Sequence, residues 1–118
     1  FPYTTLFRSY SNIMYTFHFY AATHKDSYRE KVKAAISKGL PVFVSEFGVS
    51  ESSGNGTVDT AEANRWIPFL RKNKISYVCW SLSNKAESCS LLKSSSNVAG
   101  KFKDADLSTA GEWYKKVK

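Results

Sequence analysis

Apolar residues along this chain recur in two rhythms, and the alternation between them sets out the elements. From Ile13 to Tyr20 aromatic and β-branched residues crowd together, the signature of a strand. A polar break follows. Ser27-Tyr28-Arg29-Glu30 has capping-box spacing, and Tyr28, Val32, Ala35 and Ile36 then mark one face of a helix. That helix is predicted from about Ser27 to Lys38, with Gly39 as its left-handed stop. Pro41 sits at the entry to the next run, where a missing N–H matters least. Val42 to Phe47 is nearly continuous apolar, as in a strand covered on both faces in a parallel sheet.

After a glycine-bearing polar loop over 49–58, Asp59 and Glu62 open a second helix with the face Ala63, Trp66, Ile67 and Leu70. Pro68 lies inside it and is expected to kink it, because its ring removes the bond to the Asn64 carbonyl. Ile75 to Leu82 reads as a third strand. A long loop then runs to Asp106, and Ser108 or Thr109, with Glu112, begins a short last helix. The order β-α-β-α-β-loop-α implies parallel strands with helices packed outside them. Three such units make either a small open sheet or a piece of a larger barrel. No internal repeat beyond this alternation, and no second domain, is evident.

Composition narrows the classes. With 42% hydrophobic and 15% aromatic residues in 118, the chain has enough apolar material for one domain. No apolar run approaches the ~20 residues that span a bilayer, so no membrane partner is expected. The formal charge of +7 raises nucleic acid as a partner. The basic residues are interleaved with acids, however, as in Arg29-Glu30-Lys31, which is the pattern of solvated helix faces; no nucleic-acid role is expected. Cys79 and Cys89 are too far apart for a CxxC motif and are expected to be free thiols.

The first nine residues, Phe1 to Ser9, have neither cap nor periodicity. They are similar, residue for residue, to the translation of a common short-read sequencing adapter, so the genuine polypeptide is expected to begin near Tyr10.

Chemistry in parallel α/β folds gathers at the carboxyl ends of the strands. The first strand ends in His18-Phe19-Tyr20, with His24 four residues on; the second ends in Ser45-Glu46-Phe47-Gly48; the third leads into Trp80-Ser81-Leu82-Ser83-Asn84-Lys85-Ala86-Glu87. Strict alternation puts His18 and Tyr20 on one face, Val44 and Glu46 on one face, and Val78 and Trp80 on one face. A rigid, ionised carboxylate at a strand end suits nucleophilic attack on an anomeric carbon. A tyrosine hydroxyl beside it holds the carboxylate, and a tryptophan face stacks on a pyranose ring. Each residue alone has a plainer reading: a salt-bridged Glu46, a packed His18, a loop His24, a core Trp80, a solvated Lys85–Glu87 pair. Their recurrence at one end of successive strands carries the catalytic reading.

Tyr15 to His24, Val42 to Gly48 and Trp80 to Ser88 together resemble glycoside hydrolase family 5, most closely its endo-β-1,4-glucanases (cellulases). The similarity runs from about Asn12 to the C-terminus. It implies the C-terminal three β/α units, strands six to eight, of a TIM (β/α)8 barrel that is incomplete here, so residues 10–118 are expected to be a partial catalytic domain. It further implies that Glu46 is the nucleophile and that His18 and Tyr20 line the site. Trp80 would be a stacking platform, Lys85 and Glu87 would bind hydroxyls of further sugars, and His24 would lie at the cleft rim. The substrate implied is β-1,4-glucan, cleaved with retention and without metal or cofactor by a secreted parent enzyme. Other readings are a β-mannanase or other family 5 glycanase, or a carbohydrate-binding α/β module without catalysis. The family's proton donor, a glutamate after an asparagine on the fourth strand, has no counterpart, and Glu51 and Glu62 have no reason to face Glu46. The chain alone is therefore expected to be inactive, and its open sheet edges to promote self-association.

Overall fold

The computed structural model describes residues 11–97 and 99–117; the proposed adapter segment lies outside them. Three strands, β1 (Tyr15–Tyr20), β2 (Val42–Gly48) and β3 (Tyr77–Cys79), form one parallel sheet in the order β1-β2-β3. Helix α1 (Asp26–Ser37) connects β1 to β2, helix α2 (Thr60–Lys72) connects β2 to β3, and α3 (Thr109–Val117) closes the chain after a 3₁₀ turn at Asp104–Asp106. Consecutive strands lie side by side, so both crossovers step the same way across the sheet, and the usual right-handed connection puts both helices on one face. A sheet wound singly in this manner carries its connecting helices on one face, as a barrel does.

The core lies between that face and the helices. Phe19 stacks on Trp66 of α2 with centroids 4.0 Å apart and on Phe47 of β2 at 5.2 Å. Trp66, Phe19, Phe47, Leu70 and Val44 are among the most completely enclosed large side chains. The opposite face is open. Met14, Val78 and Trp80, exposed by 57%, 50% and 47%, carry apolar surface into solvent, and β1 and β3 each pair on one side only among the described residues. Bare apolar surface beside two free edges is a template for association. The 118-residue chain is therefore expected to sediment as oligomers or to precipitate. A single well-folded monomer in analytical ultracentrifugation would contradict this.

Three features differ from the sequence reading. Helix α1 begins at Asp26 with Lys25 as its N-cap and no side-chain cap, so Ser27 lies inside the first turn and the capping box does not form. Asp26 instead pairs with Arg29 one turn on. The third strand is short, though Val44 N–H donating to Ser76 O and Trp80 N–H donating to Phe47 O extend its ladder at both ends.

The third difference matters most. Thr16 pairs with Phe43, but His18 pairs with Glu46, so β2 holds one residue more than β1 across this stretch. The same extra residue appears against β3, where Val44 pairs with Tyr77 and Phe47 with Cys79. Val42, Val44 and Phe47 all belong to the helix-side core. Positions 42 and 47 are five apart and can share a face only because of this bulge. Val44 and Glu46, expected on one face, therefore lie on opposite ones.

Candidate active site

The bulge decides where the chemistry sits. Two successive residues of β2, Ser45 and Glu46, oppose the single imidazole of His18. Ser45 Oγ lies 2.8 Å from His18 Nε2, and Glu46 Oε2 lies 3.5 Å from His18 Nδ1. The other carboxylate oxygen, Glu46 Oε1, accepts the Tyr20 hydroxyl at 2.5 Å. Glu46 is thus gripped at both oxygens by β1 while its side chain stays 26% exposed, open to a substrate. Burial of the Tyr20 phenol, and then the hydrogen bond and negative charge of Glu46, push its pKa well above the ordinary tyrosine range. Tyr20 therefore remains a proton donor to Glu46 across any ordinary working pH.

Glycine supplies the floor. A Cβ built on Gly48 would stand 2.6 Å from Tyr20 Cδ1 and Cε1, so the tyrosine ring rests directly on the β2 backbone. Beyond Tyr20, a cavity of about 430 Å³ is lined by Trp80, Ser81, Ser83, Lys85 and Glu87 from the chain after β3, and by Ser53 and Gly54 from the loop after β2. The Trp80–Ser81 peptide is cis. Lys85 Nζ meets Glu87 Oε2 at 2.9 Å. Each holds the other's charge, Glu87 lowering the acidity of the Lys85 ammonium and Lys85 lowering the Glu87 pKa. The Cys89 thiol beneath them donates to Glu87 Oε1 at 3.5 Å; burial, then Glu87, raises its pKa to about 11. Both cysteines are free.

Six of the seven residues expected at the site are thereby joined, since Tyr20 borders both the Glu46 cluster and this cavity. His24 reaches them only through the main chain of Tyr20. Its Nδ1 accepts the Tyr20 N–H at 2.8 Å, its carbonyl accepts the Trp66 indole N–H at 2.8 Å, and its ring meets Tyr28 edge-on. Glu51 is occupied by the Thr57 N–H and Glu62 by Arg29, so neither turns to Glu46. Ser45 and Gly48 are contributors that alternation alone does not reveal. A larger cavity, about 590 Å³, lies elsewhere, along the free edge of β3. Its walls include Val78, Leu82, Leu91 and Phe102, and its carboxylate, Asp104, is tied to Lys115 at 2.6 Å. An apolar groove of that kind suits packing rather than hydrolysis.

The model of the family described as cellulase (glycosyl hydrolase family 5) matches residues 2–86. The chain belongs to this family. An endoglucanase of Clostridium saccharobutylicum is 47% identical over 107 residues, covering 91% of this chain and 24% of that protein. A solved structure from Cytophaga hutchinsonii superposes with a TM-score of 0.86 at 38% identity, over 89% of this chain and 34% of that one. The catalytic domain of Thermobifida fusca endoglucanase Cel5A, solved with cellotetraose, gives 0.81 at 34% identity, over 91% and 35%. This chain therefore spans about a quarter of the endoglucanase and about a third of the solved chains. The family is one of TIM barrels, and the described residues form a small α/β piece of it with a parallel sheet.

Proposed function

We propose that this chain is the C-terminal three β/α units, strands six to eight, of a retaining endo-β-1,4-glucanase barrel, and that Glu46 is its nucleophile. The observation that carries the reading is the double grip on Glu46, from the Tyr20 hydroxyl and the His18 imidazole, at the carboxyl end of the central strand. In a retaining glycosidase the nucleophile attacks the anomeric carbon and forms a glycosyl ester, while a second carboxyl group about 5–5.5 Å away protonates the departing oxygen. Water, deprotonated by that second group, then cleaves the ester. The Tyr20 hydrogen bond and the adjacent His18 imidazole hold Glu46 in one attacking geometry, so little reorganisation remains to be made in the transition state. Trp80, nearly half exposed above the cavity, offers a face for a glucosyl ring, and Lys85 and Glu87 offer a donor and an acceptor to its hydroxyls. The substrate is a β-1,4-glucan, and an enzyme on so large a polymer acts outside the cell. Phe1 to Ser9 are a sequencing-adapter translation; codons in the source DNA that differ from the adapter's would refute that part.

The second carboxyl group belongs to the rest of the barrel, so the isolated chain is inactive. The test is a chimera in which residues 11–118 replace the matching stretch of the Clostridium saccharobutylicum endoglucanase. It is expected to hydrolyse carboxymethylcellulose with retention of anomeric configuration. A folded chimera with no activity, or one that inverts, would contradict the proposal.

The floor under Tyr20 yields a further expectation. Gly48→Ala places a methyl group where the Tyr20 ring now lies, and the ring must move off Glu46. A displacement on the order of 1 Å costs about a hundredfold in rate. The chimera carrying Gly48→Ala is expected to lose that much kcat with its circular dichroism unchanged. Unaltered kcat would show that Tyr20 does not set the geometry of Glu46.

A further inference from the structure

We infer that His24 is a positioning residue that acts on Glu46 through Tyr20 and does not touch the sugar. The inference rests on the reading of Glu46 as nucleophile, and it reassigns a residue whose place in the sequence suggests the cleft rim. Tyr20 is the last residue of β1, where strand pairing gives way to the loop. His24 binds its main chain on both sides. The His24 N–H donates to Tyr20 O at 2.8 Å, and the Tyr20 N–H donates back to His24 Nδ1 at 2.8 Å. The turn is thus closed by a reciprocal pair, one bond made by backbone and one by imidazole.

The turn is also anchored to the interior. The His24 carbonyl receives the indole N–H of Trp66, a residue with no exposed surface, 42 positions away on α2. The path from the helix core to the carboxylate therefore runs Trp66 to His24, His24 to Tyr20, and Tyr20 to Glu46 by hydrogen bonds of 2.8, 2.8 and 2.5 Å. An imidazole accepting at Nδ1 must be neutral, with its proton on Nε2. Burial lowers the His24 pKa and so favours that form. Without the acceptor, the Tyr20 N–H at a buried residue loses its partner, and a buried unpaired donor drives the local backbone to rearrange. Because the phenol reaches Glu46 from this backbone, a shift at the Tyr20 Cα moves its hydroxyl.

The test compares His24→Ala with His24→Asn in the chimera. An asparagine Oδ1 occupies nearly the position of a histidine Nδ1 and accepts the same N–H, but it lacks the rest of the ring. His24→Ala is expected to lower kcat about tenfold with KM within about twofold. His24→Asn is expected to recover most of the loss. A second readout needs no turnover: the Tyr20 hydroxyl proton, shielded from exchange by Glu46, gives a downfield proton resonance identified by its disappearance in Tyr20→Phe. That resonance is expected to weaken or vanish in His24→Ala and to persist in His24→Asn. A raised KM with kcat intact, equal damage from both variants, or an undisturbed hydroxyl resonance in His24→Ala would overturn the inference. An inactive chimera with His24 in place would instead count against the glucanase reading, while the hydroxyl resonance would still decide the role of His24.

Discussion

Glu46→Gln is expected to reduce carboxymethylcellulose hydrolysis by the chimera by about 10⁴-fold or more, with cello-oligosaccharide binding largely retained. The size follows from the role. An amide is nearly isosteric with the carboxylate, so the pocket keeps its shape, but it carries no charge to form the glycosyl ester or to stabilise the oxocarbenium-like transition state. The remaining contacts are also predictable. Tyr20 still has an amide oxygen to donate to, whereas the amide nitrogen of glutamine offers His18 Nδ1 no carboxylate oxygen. Binding should survive because Trp80, Lys85 and Glu87 line a cavity whose walls do not depend on the Glu46 charge. Isothermal calorimetry alongside the rate assay separates the two effects. Equal loss of binding and rate would make Glu46 a substrate-holding group.

The second large effect is on stability. Arg29 and Glu62, each 6% exposed, face one another between α1 and α2 with Nη1 and Oε1 2.5 Å apart. That approach has the distance of an ion pair without the angle of a hydrogen bond. Burial disfavours the guanidinium charge, but Asp26 and Glu62 more than offset this and raise the Arg29 pKa. The guanidinium also lies 4.9 Å over the Trp66 ring. Removing one partner of a buried pair strands the other, at a cost of about 3 kcal/mol or more. Glu62→Leu is expected to lower the melting temperature of the chimera by several degrees, since only the outer partner, Asp26, then remains for Arg29. Adding Arg29→Met should recover most of the loss, because an apolar pair of similar volume needs no compensation. An unchanged melting temperature in Glu62→Leu would mean that Arg29 is satisfied by Asp26 alone. As Trp66 also holds the His24 carbonyl, the Arg29–Glu62 pair braces the same helix face that locates Tyr20.

The strands and helices were legible because their apolar rhythms are strong. Val42 to Phe47 reads as a buried strand whatever its register, and Asp59 caps Glu62 N–H as its spacing implies. Ser108 likewise accepts from Gly111 N–H at the start of α3. What alternation could not supply was the bulge. A nearly continuous apolar run looks the same with or without an extra residue, so the facing of Glu46 and the contact of Ser45 with His18 emerge only from pairing with the neighbouring strands. Arg29 left a faint trace. It stands three residues before Val32, on the apolar stripe of α1, but a charged residue there reads as solvated until its partner on α2 is known. For a related reason the sequence shows His24 only as a residue just beyond a strand end, whereas the turn of its ring back onto the Tyr20 backbone depends on the folded loop.

The claim that Glu46 forms the glycosyl ester has a direct chemical test. A 2-deoxy-2-fluoro-β-cellobioside with a good leaving group forms the ester but slows its hydrolysis, so the intermediate accumulates on a retaining enzyme. Mass spectrometry of the digested chimera is predicted to find one fluorocellobiosyl group on the peptide containing Val42 to Gly48, on Glu46, and none in Glu46→Gln. A label on another carboxylate, or turnover-competent chimera that cannot be labelled, would contradict the assignment.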